Sequence, residues 1–261
     1  MKPAGYTLIT GGSMGIGFEL AKVFAQNHHH LILVARHEED LQKAKEELQQ
    51  YDVNVVTIAK DLFEPTAAKE LYDEVASRGF TVDILVNNAG QGEYGLFKDT
   101  DIRRELAIIQ LNISSLVILT KHYLRDMLDR GYGRILNLSS IASKAPGPWQ
   151  SVYHGTKAFV HSFTEAIRNE VKDKGVVVTA LLPGATDTDF FNKAGMTESK
   201  IMESKLADPA KVAKDGYDAL MNDEDKVVSG FKNKVQVAMS NLTSDQRAAE
   251  NMKKQQEPQE K

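Results

Sequence analysis

Short apolar runs alternate with longer amphipathic stretches along most of the chain. The apolar runs cover residues 6–10, 31–35, 53–58, 83–87, 134–139 and 176–182, and they are continuously apolar rather than alternating in polarity. Strands of that kind are buried on both faces of a parallel sheet. Between them, residues 18–26, 38–50, 66–78, 101–130 and 151–174 have the spacing of surface helices. The pattern predicts an α/β fold, a doubly wound parallel sheet of the Rossmann type with helices on both faces.

The regular alternation ends near residue 185. The segment of about 187–208 mixes aromatic and methionine side chains with polar ones, and we expect it to cover a substrate. A last strand is predicted over residues 226–229. Beyond residue 243 the chain is polar and has no apolar spacing. We therefore predict one domain over residues 1–243 and a frayed polar tail over 244–261.

Composition narrows the function classes. Hydrophobic residues make up 42% and charged residues 26%, as in soluble globular proteins. The net charge of -4 provides no basic field, which argues against nucleic acid as a partner. The chain has no cysteine, so we expect no disulfides or thiolate metal sites and a cytoplasmic location. No apolar run approaches the roughly 18 residues of a membrane span, and the N-terminal stretch is too short for a signal peptide.

A glycine-rich turn separates the first predicted strand from the first helix. Glycine lets a backbone turn tightly and approach a pyrophosphate, whose charge the helix N-terminus then stabilises. The alternative is a turn that binds nothing. The strand before it and the helix after it favour dinucleotide binding, with contacts from Gly11, Ser13, Met14, Gly15, Ile16 and Gly17.

The residues after the second strand indicate which dinucleotide binds. NAD-specific sites place a carboxylate there to hold the adenosine ribose, but this strand ends at Ala35. Arg36 follows, and its planar guanidinium suits a 2′-phosphate, with the Ser13 hydroxyl beside it. The sequence therefore predicts NADP(H) in preference to NAD(H). In the alternative interpretation Arg36 is a solvated charge and Glu38 or Glu39 reaches the ribose.

Two further strand ends carry residues suited to the same cofactor. Open sheets bind ligands at the carboxyl ends of their strands. Asp61 could accept a hydrogen bond from the adenine amino group, although capping a helix is an alternative role. Asn87 is expected to bridge neighbouring strands. The predicted cofactor contacts here are Asp61, Leu62, Asn88, Ala89 and Gly90.

A serine at the end of the fifth strand precedes a tyrosine–lysine pair. Tyr153 and Lys157 share one face of a predicted helix, and Ser140 lies thirteen positions before the tyrosine. A tyrosine pKa near 10 must fall to about 7, at a cost of about 4 kcal/mol, for the phenol to act as a base near neutral pH. A lysine about 5 Å away in an effective dielectric near 20 supplies about 3.3 kcal/mol. Ser140 would then orient the substrate oxygen.

In this order the motifs resemble those of the classical short-chain dehydrogenase/reductase family, over residues 6 to about 232. The resemblance implies that Asn112, in the long helix before the serine strand, binds a water that relays protons to Lys157. It also implies that the 187–208 segment closes over substrate. It extends the predicted cofactor contacts to Tyr153, Lys157, Pro183, Gly184, Thr186 and Thr188.

The function that this resemblance implies is hydride transfer between NADP(H) and a carbonyl or secondary alcohol. Tyr153 is the predicted general acid and base, within a catalytic set of Asn112, Ser140, Tyr153 and Lys157. The partner is a small-molecule substrate, and the long helices are expected to form a homodimer or homotetramer. The alternative is an inactive dinucleotide-binding sensor or scaffold. Such a protein would be free to lose the catalytic set, and none of it is missing.

Three consecutive histidines depart from the family's pattern. His28, His29 and His30 stand where a glycine turn usually precedes the second strand. Neighbours in sequence cannot all face one ion on a strand, so we predict no metal site here. We expect a solvated turn instead.

Overall fold

The computed structural model describes residues 5–240 and 243–259. Within these residues seven strands form one parallel sheet in the order β3-β2-β1-β4-β5-β6-β7. The strands are β1 (Tyr6–Thr10), β2 (His30–Ala35), β3 (Val55–Ala59), β4 (Val82–Asn87), β5 (Gly133–Leu138), β6 (Val176–Leu182) and β7 (Lys226–Val228). The predicted doubly wound parallel sheet is confirmed.

Helices cover both faces of the sheet. They are α1 (Gly15–Gln26), α2 (Glu38–Leu48), α3 (Ala67–Ser77), α4 (Ile102–Ile109), α5 (Leu116–Arg130), α6 (Ser151–Val171), α7 (Phe190–Lys193), α8 (Pro209–Met221), α9 (Phe231–Ser240) and α10 (Asp245–Gln256). One core cluster joins the sheet to α1, α2 and α8, and the other joins it to α3, α5 and α6. In the described ranges, no helix is both long and apolar enough to cross a membrane.

The strands read as continuous apolar runs because both of their faces are buried. On β1, Leu8 belongs to one core cluster and the adjacent Ile9 to the other, and both are fully buried. The strand order reverses between β1 and β4, which lie side by side at the centre of the sheet. Ligands of such sheets bind in the crevice at the carboxyl ends of the strands where the order reverses.

The long helix predicted over residues 101–130 is interrupted. A π-helical segment, Gln110–Ser115, separates α4 from α5. The buried Asn112 lies in this wide turn, and its side chain amide donates to the Gln91 carbonyl at 2.9 Å and to Thr156 Oγ1 at 3.0 Å. Single π-helical turns are frequent at functional sites. Hydrophobic spacing alone could not show the interruption, because the apolar face continues on both sides of it.

The expectation of a frayed tail after residue 243 is wrong for the described part of that segment. Residues Asp245–Gln256 form α10, and Ala248, Met252 and Gln256 are buried at intervals of four residues. The chain then pairs with the 187–208 segment, since Ser199 and Pro258 form an antiparallel bridge. Packing against the rest of the protein stabilises this helix. Its own largely polar sequence gives no indication of that packing.

The histidine run is also not a simple solvated turn. His28 has a left-handed φ of 62°, but His29 is 5% exposed and packs edge-on against Phe24 with ring centres 5.2 Å apart. Burial, with smaller contributions from Arg134 and His30, lowers the pKa of His29 to about 4. Among the residues described, no group of three potential ligands could hold a metal ion.

Candidate active site

A cavity of about 1230 Å³ follows the carboxyl ends of the central strands. It runs from the turn after β1 to the 187–208 segment and α10. Every predicted site residue except Asn112 lines it: Gly11, Ser13, Met14, Gly15, Ile16, Gly17, Arg36, Asp61, Leu62, Asn88, Ala89, Gly90, Ser140, Tyr153, Lys157, Pro183, Gly184, Thr186 and Thr188. Residues chosen from separate motifs therefore share one site.

The glycine turn has the form that a bound pyrophosphate needs. Gly11 and Gly15 have φ values of 64° and 56°, in the left-handed region that favours glycine. A Cβ on Gly17 would lie 2.1 Å from the Gly11 carbonyl oxygen, so a larger residue cannot fit there. Helix α1 starts at this turn, and its N-cap residue Met14 makes no side-chain capping hydrogen bond. The first amides of the helix are therefore available to an anion.

Asn88 supports this turn. Its side-chain amide donates to the carbonyl oxygens of Thr10 and Gly11 at 2.8 and 3.0 Å. The Thr10 hydroxyl in turn accepts from the backbone amides of Asn88 and Ala89, both at 3.1 Å. The end of β4 thus fixes the turn after β1 by hydrogen bonds across the sheet. As predicted, Asn87 bridges strands, because its amide donates to Asn137 Oδ1 at 2.9 Å.

The end of the cavity beside β2 and β3 carries an aromatic ring and a guanidinium. The Arg36 guanidinium carbon lies 5.2 Å from the centre of the Phe63 ring, and Arg36 is exposed. One oxygen of Asp61 accepts from the Phe63 amide at 3.1 Å. Asp61 therefore stabilises a turn and does not cap a helix, since the N-cap of α3 is Thr66, and its side chain lines the cavity.

The residues after β2 differ in their access to this end. Arg36 and Asp40 line the cavity, whereas Glu38 and Glu39 are not among its lining residues. Glu38 instead accepts from the Gln42 side chain at 2.5 Å. Sequence analysis did not identify Asp40, because the direction of its side chain depends on the residue at which α2 begins.

Tyr153 and Lys157 lie one turn apart on α6 at the centre of the cavity. The Lys157 ammonium is 5.8 Å from the centre of the Tyr153 ring and donates to the Leu138 carbonyl oxygen at 2.8 Å. The Ser140 side chain hydrogen-bonds to Tyr153. Ser140 also accepts from the Ala142 amide at 3.1 Å, which orients its hydroxyl. The three side chains converge as their spacing predicted.

Burial governs the ionisation of this pair. It raises the pKa of Tyr153 to about 12, although the hydrogen bond from Ser140 acts in the opposite direction. Burial also lowers the pKa of Lys157 to about 8. The lowering of the tyrosine pKa expected from a lysine charge is therefore outweighed here, because desolvation disfavours both charged forms. At neutral pH Tyr153 holds its proton.

Asn112 lies behind the cavity wall rather than in it. Its Oδ1 accepts from the Gln91 amide at 3.0 Å. A Cβ on Gly90 would be 3.2 Å from Lys157 Nζ and 3.4 Å from Asn112 Oδ1. The two side chains therefore approach the same glycine, and any larger residue at position 90 would press on both.

The loop after β6 returns to the glycine turn. A Cβ on Gly15 would lie 3.1 Å from Thr188 Cγ2, and Thr186 donates to the Gly184 carbonyl oxygen at 2.9 Å. Thr186 also pairs with Ala207, which ties the start of the 187–208 segment to its end. The predicted cofactor contacts of this loop thus lie opposite the predicted pyrophosphate contacts.

Sequence analysis missed a polar group beside Tyr153. Gln150 and His154 on either side of the tyrosine meet Gln256 from α10, and all three are buried and line the cavity. Gln256 is more than 100 residues away in sequence. No local sequence pattern connects these three positions, although Gln150 and His154 lie on either side of Tyr153, which the sequence had already indicated.

Comparison with known proteins identifies the family. Residues 6–199 match the model described as short chain dehydrogenase. The chain belongs to the short-chain dehydrogenase/reductase family. Its relatives are oxidoreductases that act on alcohol and carbonyl groups with NAD(P). The matched residues include the glycine turn, the tyrosine–lysine pair and the loop after β6, whereas α8, β7, α9 and α10 lie beyond them.

Individual family members are similar to this chain over more than two thirds of its length. Sulfoacetaldehyde reductase 2 of Chromohalobacter salexigens is 37% identical over 185 residues, covering 70% of this chain and 73% of that protein. A short chain dehydrogenase of Pseudocercospora fijiensis is 31% identical over 185 residues, and the match spans 70% of this chain but only 60% of the fungal protein.

A solved family structure matches most of the fold. The short-chain dehydrogenase from Sphingobium yanoikuyae in complex with NADPH superimposes with a TM-score of 0.81 at 27% identity. The match covers 91% of this chain and 94% of that one. It therefore extends well beyond the glycine turn and α6.

Proposed function

We propose that this protein is an NADP(H)-dependent oxidoreductase that moves a hydride between nicotinamide and a carbonyl or secondary alcohol carbon. The main support is the convergence of Ser140, Tyr153 and Lys157 in a cavity that begins at a glycine turn suited to pyrophosphate. We also propose a homodimer or homotetramer in a reducing compartment, the cytoplasm. The lack of cysteine is consistent with that location.

The residues present fit a dinucleotide. The glycine turn and the N-terminus of α1 would hold its pyrophosphate, and Asp61 and Leu62 would border its adenine. Arg36 would bind a 2′-phosphate, a choice supported by its access to the cavity and by the absence of Glu38 and Glu39 from the lining. The cofactor would supply or accept the hydride. The NADPH complex of the Sphingobium yanoikuyae protein is consistent with this choice.

Tyr153 would transfer the proton. In the direction of carbonyl reduction the phenol donates to the developing alkoxide, a role that suits a tyrosine whose raised pKa keeps it protonated at rest. Ser140 would donate a hydrogen bond to the same substrate oxygen and orient it. Lys157, while protonated, would stabilise the phenolate left behind. Asn112 would maintain the backbone at Gln91, beside Gly90 and Lys157.

Replacement of the phenol hydroxyl tests this assignment. Tyr153→Phe should reduce turnover of a ketone panel with NADPH below about a tenth of wild type, because proton transfer contributes typically 10²- to 10⁴-fold. NADPH affinity, measured by fluorescence enhancement, should stay within a few fold. Tyr132→Phe is a matched control, since that tyrosine is 46% exposed and is not among the residues that line the cavity. Turnover by Tyr153→Phe at the wild-type rate would reject the proton-transfer role.

A further inference from the structure

Three uncharged polar side chains meet beside the catalytic tyrosine. Gln256 Nε2 lies 2.9 Å from His154 Nε2 and 3.4 Å from Gln150 Oε1. The three residues are between 2% and 4% exposed, and all line the cavity. We call Gln150, His154 and Gln256 the polar anchor. It joins α6, its preceding loop and α10 at the substrate end of the site.

The hydrogen bonds of the histidine fix its tautomer. His154 Nδ1 lies 2.8 Å from the Ala145 carbonyl oxygen, which can only accept, so Nδ1 carries the proton. Nε2 is then the acceptor for the Gln256 amide. Burial lowers the pKa of His154, which keeps the ring neutral at physiological pH. The polar anchor therefore carries no charge.

Two polar atoms of this anchor are left without a partner among the residues that the structure describes. They are the donor Gln150 Nε2 and the acceptor Gln256 Oε1. Buried amide atoms are nearly always paired, and an unpaired one destabilises the fold. A buried donor and a buried acceptor beside a catalytic residue indicate a ligand group that can both accept and donate.

The anchor lies close to the ring of Tyr153. A Cβ atom placed on Gly92 would lie 3.2 Å from Gln150 Nε2 and 3.3 Å from Tyr153 Cδ2. The two atoms are thus no more than about 6.5 Å apart, the sum of those distances. A Phe190 ring carbon lies 3.1 Å from that position and provides an apolar surface beside them.

We propose that the polar anchor selects substrates that carry, besides the reacting carbonyl or alcohol, a second uncharged hydroxyl or amide group. Such a group both donates and accepts, matching Gln256 Oε1 and Gln150 Nε2. A carboxylate only accepts and would face the Gln256 oxygen without a compensating charge. This inference rests on the proposed function and names the substrate class of the same site.

Matched ketones test the proposal in the full-length protein. The probes are cyclohexanone, 3-hydroxycyclohexanone, 4-hydroxycyclohexanone and 4-oxocyclohexanecarboxylate, with kcat/KM measured under saturating NADPH. At least one hydroxyketone should exceed cyclohexanone by about 5- to 150-fold, the range expected when a buried polar pair is left unmatched. The carboxylate should be no better than cyclohexanone.

Replacing the Gln256 side chain should remove this preference. Gln256→Met keeps the size of the side chain, and it keeps the backbone carbonyl that accepts from Tyr94 and Ser199, so the end of α10 should stay in place. In this variant the kcat/KM of the hydroxyketone should fall to within about threefold of that of cyclohexanone, a ratio that cancels any change common to both ketones. Gln246→Met is the matched control, because that glutamine lies on the same helix and is exposed. It should retain the wild-type preference.

The possible failures are distinguishable. If no ketone is reduced and NADPH does not bind, the proposed function fails. If cyclohexanone is reduced as efficiently as both hydroxyketones, or if Gln256→Met keeps the wild-type preference, the anchor is not a selector. His154→Asn, a smaller amide, provides a second test should Gln256→Met unfold, and its melting temperature separates lost structure from lost recognition. Retention of the preference in His154→Asn would also overturn the proposal.

Discussion

Lys157 is 6% exposed, and among the described contacts the one hydrogen bond of its ammonium is to the Leu138 carbonyl oxygen. Burial lowers its pKa from 10.5 to about 8. That shift corresponds to about 3 kcal/mol of destabilisation of the cation relative to the unfolded chain. A group placed for chemistry is therefore expected to weaken the fold that holds it.

Lys157→Met should stabilise the cofactor-free protein while abolishing ketone reduction. The penalty is complete below the folded pKa of about 8 and vanishes above 10.5, because the unfolded chain binds the extra proton between these values. The gain should therefore be about 1 to 3 kcal/mol at pH 7, after loss of the bond to Leu138, and should shrink as pH rises from 8 to 10.5. Denaturant unfolding at several pH values measures it.

A surface lysine provides the control for this prediction. Lys172→Met, just beyond α6, alters an exposed side chain and should change the free energy of unfolding by less than about 0.5 kcal/mol at any pH. A Lys157→Met protein that is less stable than wild type at pH 7 would contradict the interpretation.

Arg36 should determine the choice of cofactor. A charge-assisted bond to a 2′-phosphate contributes roughly 1.5 to 3 kcal/mol, or about 10- to 150-fold in binding. Ala35→Asp combined with Arg36→Leu removes that attraction and adds a repulsion, so kcat/KM should shift toward NADH by more than either single change. The measurement compares both cofactors at fixed salt, since ions screen an exposed contact.

Equal efficiency of the wild type with NADH and NADPH would oppose the prediction. Asp40 would then be the residue to examine, because it lines the cavity while Glu38 and Glu39 do not. Asp40→Asn keeps the side chain's size and removes its charge. If Asp40 binds a ribose hydroxyl, this variant should reduce use of NADH more than use of NADPH.

Among the helices and strands, the elements predicted correctly from the sequence were those with extensively buried apolar faces. Strands β1 to β6 were predicted because both of their faces are buried, so their apolar runs are unbroken. The same reasoning missed α10, which buries only one narrow stripe of Ala248, Met252 and Gln256. One of those three is itself polar. With glutamine at one of its three buried positions, α10 lacks the repeated apolar spacing that predicts an amphipathic helix.

The candidate site also contains residues that local sequence spacing predicts and residues that it does not. Tyr153, Lys157 and Ser140 could be selected from local spacing, because one helix and one strand end carry them. The polar anchor could not, because Gln256 meets His154 only after α10 folds back across the cavity. The π-helical segment around Asn112 also escaped prediction, since a single wide turn leaves the hydrophobic period almost unchanged.

Removal of α10 should separate substrate binding from cofactor binding. A chain ending at Thr243 loses Met252, Gln255 and Gln256 from the cavity wall. We expect KM for a ketone substrate to rise at least about tenfold, while NADPH affinity stays within a few fold, because the glycine turn and Arg36 are untouched. Equal loss of both affinities would instead indicate general unfolding, which circular dichroism would detect.

A point substitution tests the same idea with less disruption. The Tyr94 hydroxyl donates to the Gln256 carbonyl oxygen at 2.5 Å, where α10 ends. Tyr94→Phe removes this bond and keeps the ring stacked on Trp149. KM should rise in the same direction by a smaller factor, of about two to ten. An unchanged KM would mean that the remaining contacts, such as Lys200 with Glu257, suffice.

For the whole molecule, exposed apolar side chains indicate self-association. Ile102 and Leu106 on α4 are 59% and 57% exposed, and Phe159 on α6 stacks on Phe163 while remaining 41% exposed. These helices arise from the stretches through which a dimer or tetramer was predicted. Light scattering at micromolar concentration should give two or four times the chain mass of 28.9 kDa.

A charge on this surface should disrupt the assembly. Phe159→Glu should shift the measured mass toward that of a single chain, whereas Gln246→Glu, on the exposed side of α10, should not. Removal of residues 244–261 should leave the assembly unchanged, because α10 faces the cavity. A wild-type protein that scatters as one chain would reject the prediction.

The location of α10 has a consequence for how such proteins diversify. The residues proposed to transfer the proton lie within the region 6–199 that matches the family, whereas α8, α9 and α10 lie after it. The residues proposed for proton transfer and the Gln256 member of the polar anchor are thus encoded in successive stretches of the gene. A recombination event that exchanged only the later stretch would present a new substrate to an unaltered reaction centre. Directed evolution of this protein should therefore begin by shuffling the codons of α10.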